Sequence, residues 1–154
     1  MRDFNEKDKT KKRGRIQLSE NPANLPAEKL AELESVISAS LKDGYMPCPL
    51  AWKIARDAGV PRIAVGAIVD KMGRRVIDCQ IGCFKVDKTP FEDIEMKRMD
   101  GEVVAEINQL ESAGRLTCEA VFELARKYKL KPMDISNEIN ARDFKVSVCQ
   151  LGCF

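Results

Sequence analysis

There is no histidine in the 154 residues of this chain. That removes the commonest general base and a frequent metal ligand. No glycine-rich phosphate loop follows a strand, and no Ser/His/Asp or paired-carboxylate arrangement occurs, so the expected function is non-enzymatic. Aromatic residues make up only 6% of the chain, with a single tryptophan. Trp52 and its counterpart Phe122 are therefore assigned to the core rather than to stacking on a base. No apolar run approaches the roughly 18 residues that a membrane span requires. The polar N-terminus also lacks a signal-peptide core, so a cytoplasmic address is expected. Net charge is nearly absent as well, at +2.

That small charge is unevenly spread. Residues 1–20 carry seven Lys/Arg against four Asp/Glu, residues 41–85 eight against four, and residues 110–154 seven against six. Two mildly positive regions suit an anionic partner without demanding one. Hydrophobic content of 44% and charged content of 32% are ordinary for a globular chain. At this length about two-thirds of the unfolded surface can be buried.

What the chain does have is an internal repeat. Its last six residues, Cys149-Gln150-Leu151-Gly152-Cys153-Phe154, occur earlier as Cys79-Gln80-Ile81-Gly82-Cys83-Phe84, an offset of 70 residues (149 − 79). With no gaps, ten positions of 41–84 are identical to 111–154: Gly44, Cys48, Ala55, Arg56, Val76, Cys79, Gln80, Gly82, Cys83 and Phe84. A fixed period of this kind marks one structural unit used twice. The expected division is a flexible basic arm at 1–20, with its charge concentrated at 7–15, then one repeat at 21–88 and a second at 89–154.

In the first repeat a helix is predicted from Pro26, with Leu30, Leu33, Ile37 and Leu41 on one stripe and Gly44 as a left-handed cap. In the second, Thr89-Pro90-Phe91-Glu92 has capping-box spacing; Ile94, Val103, Ile107 and Leu110 follow, and Gly114 ends the helix. Asp100-Gly101 is a candidate break within it. Met96, Met99 and Met133 read as apolar filler.

The segment 53–69, Lys-Ile-Ala-Arg-Asp-Ala-Gly-Val-Pro-Arg-Ile-Ala-Val-Gly-Ala-Ile-Val, carries the strongest fold signal. Ala55 is small where two helices must cross, and Gly59 can take the positive φ of a tight turn. Val60, Val65 and Ile68 then fall on the buried side of a following helix. Over these roughly 20 residues the chain resembles the helix-turn-helix of phage-repressor-type DNA-binding domains. The second copy keeps Ala125, Leu130 and Ile135 but puts Lys129 at the turn and Glu138 at the position of Ile68, with Ile139 available to shift the buried face.

The expected fold is thus mainly α, with two tandem helix-turn-helix repeats. Each would end in a short strand (76–79 and 144–148) and a Cys-x-x-x-Cys turn, the two strands pairing as a small sheet across the repeats.

The resemblance implies that the second helix of each pair faces DNA. In the first copy only Arg62 can make a bidentate base contact, while Gly66 and Ala67 form a smooth surface suited to close approach of another protein element. The second copy offers Lys131, Ser136, Asn137, Asn140 and Arg142: asparagines for adenine edges, cations for phosphates. DNA is the favoured partner and the second repeat the better reader. A protein partner docking on Gly66-Ala67 is the alternative.

Six cysteines without an export signal read as thiols or ligands rather than disulfides. Cys48 and Cys118 are placed at helix starts, where thiolate is favoured. Cys79 with Cys83, and Cys149 with Cys153, are placed where a strand ends in a glycine turn. If strand end and helix start meet, three sulfurs of one repeat converge. Three readings stay open: packing, an iron-sulfur cluster or zinc, and a redox switch that would make the protein a thiol- or metal-responsive regulator. Phe84 and Phe154 are expected to anchor each motif. Arg56 and Arg126 are expected to pair with a carboxylate or carbonyl inside the fold.

Overall fold

Two features build each repeat: apolar residues at three- and four-residue spacing, and left-handed residues where the chain must turn. The computed structural model describes residues 18–83 and 99–154. The basic run at 7–15, the closing Phe84, the Thr89-Pro90-Phe91-Glu92 segment, Ile94 and Met96 lie outside the described residues. Among the described residues there are six helices and one two-stranded parallel sheet, so the fold is mainly α. No helix among them is long and apolar enough to cross a membrane.

The described residues fall into two compact units, 18–79 with 150–154, and 80–83 with 99–149. The boundaries of these units sit at 79/80 and 149/150, inside the two Cys-Gln motifs, while 88/89 lies outside the described residues. Each unit therefore contains the motif that follows the other repeat.

The first unit runs α1 (Ala27–Ser40), β1 (Tyr45–Pro47), α2 (Cys48–Ala58), α3 (Arg62–Lys71) and β2 (Arg75–Ile77). Leu33 and Ile37 of the predicted stripe are buried, as are Met46, Ala51, Val65 and Val69, each no more than 1% exposed. The second unit runs α4 (Gly101–Ser112), α5 (Cys118–Lys127) and α6 (Pro132–Ala141) around Val103, Ile107, Val121, Leu124, Ile135 and Ile139. Asp100 caps α4 by accepting from the Glu102 amide at 3.2 Å, so the Asp100-Gly101 step is where this helix starts.

The backbone is kept where the sequence is not. Positive φ recurs at the 70-residue offset in Gly59 and Lys129, Gly73 and Asp143, Asp78 and Val148, and Gly82 and Gly152. The α2–α3 turn closes with Val60 N–H donating to Ala55 O at 2.9 Å, and the α5–α6 turn with Leu130 N–H donating to Ala125 O at 2.8 Å. Lys129, at φ 54°, thus holds the same turn as Gly59 at φ 66°. Ile139 and Val69 are both 0% exposed, and Glu138 is half-buried, its carboxylate 2.8 Å from Arg142.

Two expectations change. Gly44 does not cap α1, which ends at Ser40 with Leu41 extended. Asp43 and Gly44 both have positive φ, and Lys42 and Tyr45 exchange backbone bonds of 2.8 Å, a type I′ hairpin turn. In the second repeat Ala113 stays right-handed and Gly114 does cap, its neighbour Arg115 donating to Leu110 O at 2.9 Å. Asp tolerates the left-handed region and Ala does not, so one neighbour changes the role of a shared glycine.

The strands also pair differently from expectation. β1 pairs with β2 of the same repeat in parallel, Pro47 opposite Ile77. The matching residues of the second repeat, Thr117 and Ser147, form a single parallel bridge. The segment before α2 or α5 was too short and proline- or threonine-marked to read as a strand, yet it supplies the edge.

The Glu106 carboxylate joins α4 to α5, accepting from Lys127 Nζ at 2.6 Å and Tyr128 OH at 2.7 Å. The Lys127 bond, then that of Tyr128, holds Glu106 below its ordinary pKa, and Glu106 raises both Lys127 and Tyr128 above theirs. A lowered acid contributes stability that fades as pH falls through its folded pKa; a raised base or phenol contributes stability that fades as pH rises. Glu106→Gln should therefore cost a few tenths of a kcal/mol near neutrality, as exposed pairs do, and nothing in acid where the carboxylate is already protonated. Urea melts of both proteins across pH check this.

Lysine and a β-branched valine are poor occupants of left-handed backbone, which costs about 1–2 kcal/mol per L-residue. Lys129→Gly and Val148→Asn should each raise stability by about 0.5–1 kcal/mol after the change in unfolded-state entropy. An unchanged or lower urea midpoint would contradict the left-handed assignment.

Candidate functional site

The densest chemistry in the first unit surrounds α3. All six residues at 64–69 are buried, so this helix has no solvent-facing side along its middle. One side is covered by the closing motif of the second repeat. The backbone of Leu151 lies against Gly66 so closely that a Cβ built there would sit 2.7 Å from the Leu151 carbonyl carbon and nearer still to its oxygen. Leu151 itself is 1% exposed. Gly152, at φ 70°, passes Ile63 and Leu18, whose methyl carbons would lie 2.9 and 2.7 Å from an added Cβ. At the start of α3, Arg62 donates to the Gln150 side-chain oxygen and lays its guanidinium 3.5 Å over the Trp52 ring centroid. A cation over an indole face is attracted by the ring quadrupole, so stacking and hydrogen bond fix the same side chain from two directions.

The second unit repeats the contact with different chemistry. Ser136 occupies the position of Gly66, is 1% exposed, and donates its hydroxyl to the Ile81 carbonyl. Ile81 is the counterpart of Leu151 and is equally buried. The serine has a Cβ, but supplies the donor that a buried carbonyl requires.

These placements sort the sequence candidates. Arg62 is half-buried and committed to Trp52 and Gln150, while Ser136 is buried against Ile81 and cannot reach a base. Lys131, Asn140 and Arg142 are exposed and Asn137 is half-buried on α6, with Arg142 on Glu138 by an exchangeable surface pair. Arg56 meets the exposed carboxylate of Asp57 at 3.3 Å, and Arg126 lines an open groove of about 360 Å³ with Glu106, Leu110 and Leu124. Sequence reasoning missed Gln150, Leu151 and Ile81. The signal was available, because the residue between Gln and Gly is a large aliphatic in both copies. Phe154, the expected anchor, is 38% exposed.

The cysteines divide in the same crossed manner. Cys48 and Cys118 begin α2 and α5 as expected, and strand end does meet helix start: Cys118 N–H donates to Ser147 O at 3.2 Å. Cys48, Cys79, Cys118 and Cys149 are buried, whereas Cys83 is exposed and Cys153 half-buried. Cys83 belongs to the second unit and Cys153 to the first, each across the boundary from its partner four residues earlier. Among the described residues no group of three or more Cys, Asp or Glu side chains is arranged to hold a metal ion.

Comparison with family models, with curated proteins and with solved structures returns no match.

Gly66→Ala places a methyl into the Leu151 backbone, and a small-to-large change in a filled site costs about 1–3 kcal/mol. Ser136→Ala leaves the Ile81 carbonyl without its hydroxyl donor, a loss of about 1–3 kcal/mol. Denaturation of both variants should show these losses, and Gly66→Ala should also move the emission of the single tryptophan. Full retention of stability by Gly66→Ala would contradict the close approach.

Proposed function

We propose that this chain is a non-enzymatic, cytoplasmic DNA-binding protein that engages DNA through α6 of its second repeat. The resemblance of 53–69 to phage-repressor-type helix-turn-helix units motivates the class, and the asymmetry between the two second helices carries the assignment. Helix α3 is buried along its middle, whereas α6 buries Ile135, Ser136 and Ile139 and keeps Lys131, Asn140 and Arg142 exposed. Lys129 at the preceding turn and Lys145 beyond the helix are also exposed. In this reading Asn137 and Asn140 face adenine edges, and Lys131, Arg142 and their basic neighbours hold phosphates. Arg62 and Ser136 drop out of the interface.

The rival reading placed a protein partner on the Gly66-Ala67 surface. At Gly66 that surface is taken by the Leu151 backbone, so such a partner would first have to displace the chain's own motif. A thiol response remains part of the proposal, through Cys83 and Cys153, the two cysteines with solvent access.

Electrophoretic mobility shift against genomic fragments should give a complex that weakens steeply with salt, with a log–log slope of about −3 for three to four phosphate contacts. Lys131→Glu with Arg142→Glu should lower affinity for all fragments by at least about tenfold, and Asn140→Ala should erode preference among them by about 1–3 kcal/mol per base pair read. Absence of any shift at low salt, with the protein folded, would rule the proposal out.

A further inference from the structure

We infer that the face of α3 is a peptide-docking groove able to take the Gln-Leu-Gly-Cys-Phe segment of a second copy of this chain, giving an exchanged dimer. The seat is specified in chemical detail. Leu151 is buried with its backbone against Gly66, Gly152 threads past Ile63 and Leu18, and the Gln150 side chain accepts from Arg62. The occupant in each unit is the motif that follows the other repeat, and the contact is made twice at equivalent positions, Gly66 with Leu151 and Ser136 with Ile81. A repeat does not close on its own motif in either case. Reciprocal exchange between non-identical halves of one chain is the same transaction as exchange between two chains. What favours the internal form is the covalent connection, which sets a high effective concentration. Raising the concentration of chains, or emptying one seat, should shift the motif to a neighbour by the route through which swapped dimers form.

Two complementary variants test this. The first is truncated after Cys149, so that its α3 seat is empty. The second keeps 150–154 but carries Gly66→Leu, which fills its seat, and Trp52→Phe, which leaves Trp52 of the first variant as the sole reporter. Mixed in equal amounts, they should form a one-to-one complex of about twice the 17.3 kDa chain mass by light scattering. Trp52 emission of the truncated chain should return toward that of the unaltered protein. If both variants are helical by circular dichroism yet remain separate with emission unchanged, the inference fails.

Should either variant not fold, the unaltered protein decides. Refolding from urea at high concentration is expected to yield a dimer that persists on dilution, in a fraction that rises with concentration. Monomer alone at every refolding concentration would overturn the proposal. Neither arm depends on DNA, so its failure is distinguishable from failure of the function proposed above.

Discussion

The first unit depends on a backbone carbonyl approaching a helix more closely than any side chain would allow. At Gly66 the Leu151 peptide takes the volume of a missing Cβ, and the rest of the unit accommodates that approach. With the motif seated, α3 is covered at Gly66 as well as by its own unit's core, so its middle can be Ala-Val-Gly-Ala-Ile-Val without a polar stripe. Arg62 caps the seat, and its charge is tolerated half-buried because Trp52 and Gln150 receive it. In the second unit the same approach is softened by a hydroxyl. Ser136 trades the glycine's space for a donor, and α6 correspondingly retains Asn137, Glu138 and Asn140 beside its buried side.

That difference separates the roles proposed for the repeats. A helix apolar all round has spent its surface on its own fold. A helix with one buried stripe has a face left for a partner. The symmetry visible in the left-handed positions is thus broken mostly at the surface, with the turn before Tyr45 as the clearest difference in the backbone. Gly59 and Lys129, or Asp78 and Val148, show how far side chains drifted while turns held, in the valine's case against its own conformational preference.

Much of this was legible in the sequence, for physical reasons that also define where legibility stopped. The period, the stripe through Leu33 and Ile37, the small Ala55 at the helix crossing and the turn at Gly59 are local signals, set by spacing along one element. The missing side chain of Gly66 reads as room for a close approach, but not that the approaching element is residue 151 of the same chain. A six-residue motif has no periodicity from which to tell which helix it will cover. Gly44 misled for a similar reason: its role depended on whether its neighbour was Asp43 or Ala113. The parallel pairing of β1 with β2 involves three residues on each strand, below the length at which alternation carries information.

The crossed topology also changes what the Cys-x-x-x-Cys spacing means. Here the unit boundary falls directly after the first cysteine of each motif, so Cys79 closes the first unit while Cys83 belongs to the second, and Cys149 and Cys153 do the reverse. Each unit ends with two buried cysteines of one repeat and a more accessible cysteine of the other. Chemistry at Cys83 or Cys153 would then act on the docked end of a motif whose root lies in the other unit. A modification too bulky for the seat would loosen Leu151 or Ile81 from its helix without touching the buried core that Cys48 and Cys118 help to fill.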